Sequence, residues 1–389
     1  MIGKKICMVV NNPFIHDARV NKEAHSLSRA GYGITVYATH AKDLPDEERI
    51  NNILVRRLPV RRYDLFRLNM LRSPFDFFPS LIKLIREKAD VYHSHDLDTL
   101  LICYLASRFN KSKLVYDSHE LFLEMENYNF EQVWYGRFAS LFLIPVWGFV
   151  ERLCSSKADH VITVNDSIRN ILAKRLGLKR ITVILNCPPF KKIVRGREFH
   201  KIFYLPKGVR VVLYQGGIMW KRAVKQLVDA MEYLPRNIYL VFMGGGGDKA
   251  PLTKYALAKE YSSRIKFHDI VSLKDLPKYT AYADVGVVSL LNISLNNYYS
   301  LPNKLFEYMA SGIPVVASNF PEIKKVVVGE GIGVCFDPED PEDIARAIKK
   351  ILLSEIGYKK MKENAARAAK EKYNWEIEEK KLLAVYNRL

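Results

Sequence analysis

Cysteine is scarce in this sequence, and no spacing pairs the few that it has. The five cysteines are scattered over 389 residues, and none forms a CxxC pair or a zinc spacing; they are Cys7, Cys103, Cys154, Cys187 and Cys335. This distribution argues against a disulfide framework and a zinc site, and it is typical of a protein in a reducing compartment.

Long hydrophobic runs are also missing. A membrane-spanning helix needs about 20 apolar residues, whereas the longest run, FASLFLIPVWGFV from Phe138 to Val150, is shorter and contains Pro145. The N-terminal stretch MIGKKICMVVNN predicts a strand rather than a signal peptide, because its apolar part is only a few residues long. We therefore expect a cytoplasmic protein.

Neither of the common glycine-rich nucleotide motifs is present. GGGGDK, from Gly244 to Lys249, follows an apolar strand but has no GK[ST] ending, and it is not a GxGxxG that opens a helix. We expect this mobile loop, with Gly244 and Gly245, either to close over a bound base or only to turn the chain.

Acidic residues are outnumbered by basic ones. The chain holds 60 Lys and Arg against 42 Asp and Glu, a net charge of +18, and residues 1–200 alone hold 31 against 21. Such a field attracts phosphates on nucleic acid, on an anionic membrane or on a nucleotide. No nucleic-acid-reading motif accompanies it, so we expect no nucleic-acid partner.

Strand-like runs alternate with helix-like runs along the whole chain. KICMVVN and VYHSH in the first half, and IYLVFM and IPVVAS in the second, are nearly continuous in apolar character, as parallel strands buried on both faces are. The alternation predicts an α/β protein with two Rossmann-like domains, whose parallel sheets face each other across a ligand-binding cleft. Its expected parts are an N-terminal domain (1–190), a hinge (191–208), a C-terminal domain (209–370) and a final helix (371–389).

The stretch SLPNKLFEYMASGIPVVAS, from Ser300 to Ser318, predicts a helix that starts after Pro302. A helix N-terminus and Lys304 together favour an anion. Glu307 follows Pro302 by roughly 7–8 Å along the helix axis, about the distance from a nucleotide's distal phosphate to its ribose. The alternative is that Glu307 only pairs with Lys304 on the helix surface.

A second stretch, LYQGGIMWKRAV, joins a predicted strand to a helix. Gly216 and Gly217 would let a ligand approach the backbone, and Lys221 and Arg222 lie by the helix start. Arginine binds a diphosphate in a bidentate manner, so this turn is a second candidate phosphate site.

Polar residues follow three strands of the first half. HSHDLD holds His95 and Asp96, YDSHE holds His119, and NNPFIHDARVNKEA follows the first strand. We expect these strand ends to line a substrate pocket, with Asn11, Asn12, His16, His95 and Asp96 binding the acceptor. A metal cluster is the alternative for HxHD, but further ligands are not evident, and no metal is expected.

Six segments in order resemble the glycosyltransferases of GT-B fold, and family 4 in particular, over nearly the whole chain. They are DARVNKEAHSLSRAGYGITVYA, VYHSHDLDTL, LVYDSHE, LYQGGIMWKRAV, SLPNKLFEYMASGIPVVAS with NFPEI, and the closing YNWE helix. The resemblance implies a nucleotide-sugar donor held mainly by the C-terminal domain, an acceptor held by the N-terminal domain, retention of the anomeric configuration, no metal, and a last helix that packs back on the N-terminal domain.

The resemblance also implies roles for individual residues. Glu307 matches the ribose ligand, Arg222 the cation before the helix with Lys221 beside it, and His119 the histidine near the transferred sugar; these three, Arg222, His119 and Glu307, are the expected catalytic residues. Glu322 matches the Pro-Glu after the strand. The diphosphate would bind at the start of the Glu307 helix, at Ser300, Leu301, Pro302, Asn303 and Lys304.

Two departures from the family pattern concern the donor. Tyr299 stands eight residues before Glu307, where the family has an acid that contacts the sugar, and Asn296, Asn297 or Ser300 would have to replace that acid. Gly217 stands where many members have an arginine, which leaves Arg222 to act with Lys304.

We therefore expect a retaining, metal-independent hexosyltransferase without a cofactor, which moves a sugar to a hydroxyl of a glycan or a lipid-linked acceptor in polysaccharide biosynthesis. The alternatives are a nucleotide-sugar epimerase and a non-catalytic nucleotide- or sugar-binding protein. An arginine cluster and the aromatic stretch 130–150 predict an anionic membrane surface, at the inner face of the membrane, as a further partner. The alternative is a core helix beside a solvated basic face. The arginines are Arg56, Arg57, Arg61, Arg62, Arg67 and Arg72.

Overall fold

A computed structural model describes residues 3–15, 17–58, 74–125, 136–191 and 198–389 of the chain. The chain divides into two compact units. The N-terminal unit comprises Met1–Leu185 and Glu378–Leu389, and the C-terminal unit comprises Asn186–Ile377.

The N-terminal unit is built on an eight-stranded sheet of order β3-β4-β2-β1-β5-β6-β7-β8. All neighbouring strands are parallel except β3 and β4, which form an antiparallel edge. The strands are β1 Lys5–Val9, β2 Gly33–Thr39, β3 Glu47–Ile50, β4 Ile53–Leu58, β5 Val91–His95, β6 Lys113–Ser118, β7 His160–Thr163 and β8 Ile181–Val183. The helices are α1 Ala18–Arg29, α2 Pro74–Glu87, α3 Leu97–Phe109, α4 Gly136–Ser155 and α5 Asp166–Leu176.

The C-terminal unit is built on a six-stranded, wholly parallel sheet of order β11-β10-β9-β12-β13-β14. The strands are β9 Arg210–Gln215, β10 Ile238–Met243, β11 Ile265–His268, β12 Val285–Val288, β13 Val315–Ser318 and β14 Gly333–Phe336. The helices are α6 Glu198–Ile202, α7 Val224–Ala230, α8 Lys249–Leu257, α9 Leu276–Thr280, α10 Leu295–Tyr298, α11 Asn303–Ala310, α12 Pro321–Val327, α13 Pro341–Leu352 and α14 Glu355–Glu371, followed by α15 Trp375–Tyr386, within which the chain returns to the N-terminal unit.

The two parallel sheets confirm the predicted fold class, two α/β domains with parallel strands. Four of the five residues of β1 and all four of β12 are buried, because strands covered by helices on both faces need apolar side chains in both directions. The described part of the predicted hinge is not wholly irregular, since it contains α6. Trp375 at the start of α15 donates its backbone N–H to Pro188 O, and Tyr386 at its end hydrogen-bonds His93.

Several local signals fix the helix boundaries. The Asp17 carboxylate caps α1 by accepting from the backbone N–H of Val20, and Asn165 caps α5 in the same way at Ile168. Gly177 ends α5 in the left-handed conformation that favours glycine. None of the five cysteines forms a disulfide, as predicted.

One close contact fixes α11 against its sheet. The Tyr308 hydroxyl donates to Leu213 O and accepts from the backbone N–H of Gln215, so this helix is tied to the end of β9. A Cβ atom at Gly286 on β12 would lie 2.4 Å from the Tyr308 ring. Only glycine lets α11 pack this close to β12. The contact also fixes the position of Glu307, the residue before Tyr308, relative to the sheet.

We expect Gly286→Ala to destabilise the protein, because the added methyl group overlaps a buried ring that cannot move away. Overpacking of this kind costs about 1–3 kcal/mol, and the apparent melting temperature should fall by about 2–4 °C per kcal/mol. The control is Gly247→Ala, where no atom lies within 4 Å of the new Cβ. Equal melting temperatures for the two variants would contradict this account of the helix position.

Candidate functional site

The carboxyl end of β9 carries the first group of candidate residues. Gln215 donates its side-chain amide to a Glu307 carboxylate oxygen and accepts from the Thr280 hydroxyl at 2.8 Å. Because Gln215 is itself buried and held by Thr280, the amide fixes the orientation of the half-buried Glu307 side chain.

Lys304 is the most unusual side chain of this group. It is only 7% exposed, and its ammonium lies 3.8 Å from the centroid of the Tyr214 ring. Its Nζ has no hydrogen-bond partner among the described residues. Burial and the neighbouring Arg222 hold the pKa of Lys304 well below its usual range, and Glu307 offsets this only in part. An anion would supply the acceptor that the protein does not.

Arg222 converges on the same point. A Cβ atom at Gly216, which has φ +111°, would lie 3.7 Å from both Arg222 Nη1 and Lys304 Nζ. Two cations directed at one stretch of glycine backbone repel each other, so their convergence indicates a site for a bound anion.

The backbone around Arg222 is rigidly placed. Residues Trp220–Arg222 form one turn of 3-10 helix, Ser289 Oγ donates to Arg222 O, and the Leu291 backbone N–H donates to Lys221 O. The half-buried Lys221 lies in the same turn, and Gly217 O accepts from the Tyr214 hydroxyl at 2.6 Å.

The loop with Gly244 and Gly245, which was expected either to close over a base or only to turn the chain, makes backbone contacts with the Gly216 turn. The Gly216 backbone N–H donates to Met243 O, and the Ile218 N–H donates to Gly245 O at 2.7 Å. A Cβ atom at Gly244, with φ +150°, would lie 2.1 Å from Gly216 O. These glycines therefore support the Gly216 turn by direct backbone contact.

The segment before α11 is an ordered turn. Pro302 is the N-cap residue of α11, without a side-chain cap, so Leu301 and Pro302 lead into the helix that begins at Asn303. Ser300 Oγ donates to Asn297 O, and the Asn297 amide donates to Leu291 O. These two polar groups are thus engaged within the turn, whereas Tyr299 stacks edge-to-face on Tyr298. Two further sequence candidates, Asn296 and Glu322, are both buried.

The N-terminal unit holds a second group, organised by a buried ion pair. Arg19 of α1 binds both carboxylate oxygens of Asp117, at 2.9 Å each, and donates to Ile184 O. Its Nε also lies 3.1 Å from the Glu23 carboxylate, one helical turn on. Asp117 and Glu23 are fully buried, and the pKa of Asp117 is held well below its usual range because Arg19 and His119 outweigh its burial.

His119 lies between two carboxylates. Its Nε2 is 3.2 Å from Asp117 Oδ2, its Nδ1 is 3.4 Å from Asp96 Oδ2, and its backbone N–H donates to Asp96. Burial alone would lower the pKa of His119, but Asp96 and Asp117 together raise it to about 10. Burial raises the pKa of Asp96 to about 7. His119 is therefore an imidazolium near neutral pH, a hydrogen-bond donor rather than a base.

His93 and His95 stack on each other at 4.2 Å and are buried next to Asp117. Burial lowers the pKa of both, to about 3 for His93. Ligand atoms of Glu23, His93, His95 and Asp117 all lie within 4.8 Å of one another, a set that could hold a metal ion. The guanidinium of Arg19 already contacts both carboxylates, however, and so supplies the positive charge that a metal would bring there.

The predicted acceptor residues differ in their surroundings. The Asn11 amide donates to Asp98 and the Asn12 amide to Asp17, so both side chains already have hydrogen-bond partners within the unit. His95 is buried and bonded to His119 at 3.1 Å, whereas Asp96 remains half-buried. His16 lies outside the described residues. The parallel register of β5 and β6 places His95 opposite Asp117, which brings the two predicted motifs together.

Sequence reasoning missed the residues that hold the candidates in place. Gln215 and Thr280 orient Glu307, and Arg19 and Asp117 hold His119. The spacing of Arg19 and Glu23, four residues apart, indicated an ion pair on one helix. It gave no sign of the second partner of Arg19, which is Asp117 on β6.

Two family models match the chain in succession. "Glycosyltransferase Family 4" matches residues 19–187, and "Glycosyl transferases group 1" matches residues 196–368. With two parallel-sheet units, these matches define a glycosyltransferase of GT-B fold. The chain belongs to the GT-B glycosyltransferases with a family 4 N-terminal half, as the resemblance predicted.

Relatives and solved structures match over nearly the full length. An uncharacterized glycosyltransferase of Methanocaldococcus jannaschii is 25% identical, over 94% of this chain and 92% of its own. A chitobiosyldiphosphodolichol beta-mannosyltransferase of Candida albicans is 22% identical, over 96% and 86%. The crystal structure of Anabaena HepE in complex with UDP-glucose superposes with a TM-score of 0.75 at 15% identity, over 99% and 100% of the two chains.

The charge of His119 can be tested with Asp96→Asn. Removing one of the two carboxylates should lower the pKa of His119 from about 10 toward neutral. Because the folded-state pKa exceeds the ordinary 6.5, the proton bound by His119 stabilises the unit fully below about pH 6.5, and that contribution is lost as the pH rises toward 10. Imidazole NMR titration measures the pKa, with His119→Gln to assign the signal and the exposed Asp43→Asn as control. An unchanged titration in Asp96→Asn would refute this account.

The cost of the buried ammonium can be tested with Lys304→Met. A buried charge without a hydrogen-bond partner costs stability, so the apolar isostere should raise the free energy of unfolding, by about 1–4 kcal/mol at most. Thermal unfolding without ligand measures the effect, and the exposed Lys274→Met serves as the control. A lower melting temperature for Lys304→Met than for Lys274→Met would mean that Lys304 is a structural residue.

Proposed function

We propose that this glycosyltransferase moves a hexose from a nucleoside-diphosphate sugar to a hydroxyl of a glycan or lipid-linked acceptor, with retention of configuration and without a metal. The observation that carries the proposal is the convergence of Lys304 and Arg222 on the Gly216 backbone, next to a Glu307 held by Gln215.

The donor site follows from these contacts. The diphosphate would accept hydrogen bonds from Lys304 and Arg222 and from backbone N–H groups at the start of α11. Glu307 lies one helical turn beyond Lys304, where its carboxylate would bind the ribose hydroxyls. The UDP-glucose complex of Anabaena HepE, a structure of the same fold, supports a nucleotide-sugar donor.

The same cations explain catalysis. As the bond from sugar to diphosphate breaks, negative charge grows on the leaving phosphate and positive charge on the sugar. Cations and N–H donors that are already in place stabilise that charge, and the loss of one such donor costs about 10²–10³ in rate. The two cations would also take the place of a metal ion at the diphosphate.

In the N-terminal unit, we assign His119 to the sugar or the acceptor. As an imidazolium held by two carboxylates it has no lone pair with which to remove a proton, so it would act through its positive charge rather than as a base. The departing diphosphate oxygen is then the base that takes the acceptor proton, on the face from which the sugar was released, which gives retention.

The acceptor class is supported more indirectly. The name of the Candida albicans relative specifies a dolichol-linked substrate, and that relative aligns with 96% of this chain. No helix in the described ranges is long and apolar enough to cross a membrane. A lipid-linked acceptor would therefore have to be reached from the membrane surface, and we propose peripheral association at its cytoplasmic face.

A thermal-shift panel tests the donor site. One nucleoside diphosphate, uridine or guanosine, should raise the melting temperature by several degrees, since saturation at about 100 times Kd adds about 2.7 kcal/mol. The shift should persist in EDTA. Glu307→Gln and Arg222→Met should lose it, and Lys304→Met should lose it while being more stable without ligand. Arg346→Met, at an exposed arginine of α13, is the control for removal of a charge.

Three outcomes would overturn the proposal. The first is the absence of any shift with millimolar nucleotide, and the second is a shift that EDTA abolishes. The third is an isomerised sugar after incubation with the donor alone, which would make the protein an epimerase. Product NMR of the anomeric proton then decides between retention and inversion.

A further inference from the structure

Helix α4 exposes an apolar face. Val146, Phe149 and Leu153 recur at helical spacing and are 59%, 67% and 43% exposed, and Leu141 at the start of the same stripe is 68% exposed. Phe142 and Pro145 complete the stripe and are exposed as well. A helix on a protein surface normally presents polar side chains to water, so this face is the reverse of the usual arrangement.

The acidic residue of α4 points away from the apolar stripe, into the interior of the unit. Glu151 is the single acidic residue of the helix, and it is buried, where it accepts from the Tyr116 hydroxyl and from Arg175. Trp147 and Val150 pack against the core cluster of the unit. The orientation of α4 is thus fixed by its own buried ion pair and core contacts, and the apolar stripe is not an alternative inner face.

Basic side chains lie at the C-terminal end of the stripe. Arg152 lies on it, between Phe149 and Leu153, and Lys157 follows the end of the helix; both are exposed. Arg108 at the end of the neighbouring α3 donates to Lys157 O, and the next residue, Phe109, is 72% exposed. No acidic side chain stands among the exposed residues 141–157. Aromatic and aliphatic side chains with basic neighbours match the boundary between lipid headgroups and acyl chains.

We propose that the exposed face of α4 is the surface by which this protein docks on an anionic membrane, with Leu141, Val146, Phe149 and Leu153 in the headgroup–acyl boundary and Arg152 and Lys157 at the lipid phosphates. The arginine cluster suggested by the sequence stays a prediction. Arg56 pairs with Glu47 and Glu87, and Arg57 with Glu48, whereas Arg61, Arg62, Arg67 and Arg72 lie outside the described residues.

The proposal deepens the proposed function, because a lipid-linked acceptor is presented at such a surface. Docking is nevertheless measured without donor or acceptor. A failure of vesicle binding therefore leaves the nucleotide result intact, and a failure of nucleotide binding leaves this one intact.

Sedimentation of the full chain with lipid vesicles tests the surface. Vesicles of equal parts phosphatidylcholine and phosphatidylglycerol should bind the protein at least about tenfold more tightly than phosphatidylcholine alone, and salt should weaken the binding. Phe149→Ser should lower binding by about tenfold, since an aromatic side chain would no longer be buried in the headgroup–acyl boundary. Arg152→Glu with Lys157→Glu should lower it by a similar factor.

The matched control is Ile356→Ser, which removes an apolar side chain that is 87% exposed on α14 of the other unit and should leave binding unchanged. An unchanged melting temperature without ligand and an unchanged far-UV circular dichroism spectrum verify that each variant is folded. Equal binding of wild type and Phe149→Ser would overturn the proposal, as would absence of binding to anionic vesicles at low salt. A dimer that Phe149→Ser converts to a monomer, without vesicle binding, would show instead that a second copy covers the face.

Discussion

A buried positive charge without a hydrogen-bond acceptor among the described residues is the constraint on which the C-terminal unit depends. Lys304 is held over the Tyr214 ring by α11, and α11 is held by the Tyr308 hydroxyl and by the absence of a side chain at Gly286. Placing an ammonium there costs free energy in the unliganded protein. A bound anion would offset this cost, so the arrangement is favourable only in the presence of a ligand.

The N-terminal unit solves the same electrostatic problem in the opposite way. Arg19, Asp117 and His119 are also buried charges, but each has an opposite charge within hydrogen-bond distance. These three charges compensate one another and keep His119 protonated, whereas the neighbouring Glu23 oxygens and the Nε2 atoms of His93 and His95 have no hydrogen-bond partner among the described residues. The C-terminal unit therefore carries an uncompensated positive charge that suits a polyanion. In the N-terminal unit the charges around His119 nearly cancel.

The sequence was sufficient to predict the two α/β domains because parallel strands buried on both faces leave continuous apolar runs, as in β1 and β12. It also singled out Lys304, Glu307 and Arg222 as candidate donor-site residues, since each lies within or just before the first turns of a predicted helix. It could not predict Gln215 as the partner of Glu307 or Arg19 as the partner of Asp117, because such pairs join residues 92 and 98 positions apart. Nor could composition separate an apolar helix in the core from one with an exposed apolar stripe, because that distinction depends on which face Glu151 occupies.

The hydrogen bond between Tyr116 and Glu151 links helix α4 to β6, the strand that also carries Asp117. Successive side chains of a strand point to opposite faces, so Tyr116 meets α4 on one side of the sheet while Asp117, the next residue, holds His119 through the other. The helix that carries the lipid-docking stripe and the imidazolium are thus rigidly connected through a single strand. On the proposed docking, the depth of α4 in the headgroups would set the height above the bilayer at which an acceptor hydroxyl near His119 could be used, so lipid-linked sugars would be selected by how far they project.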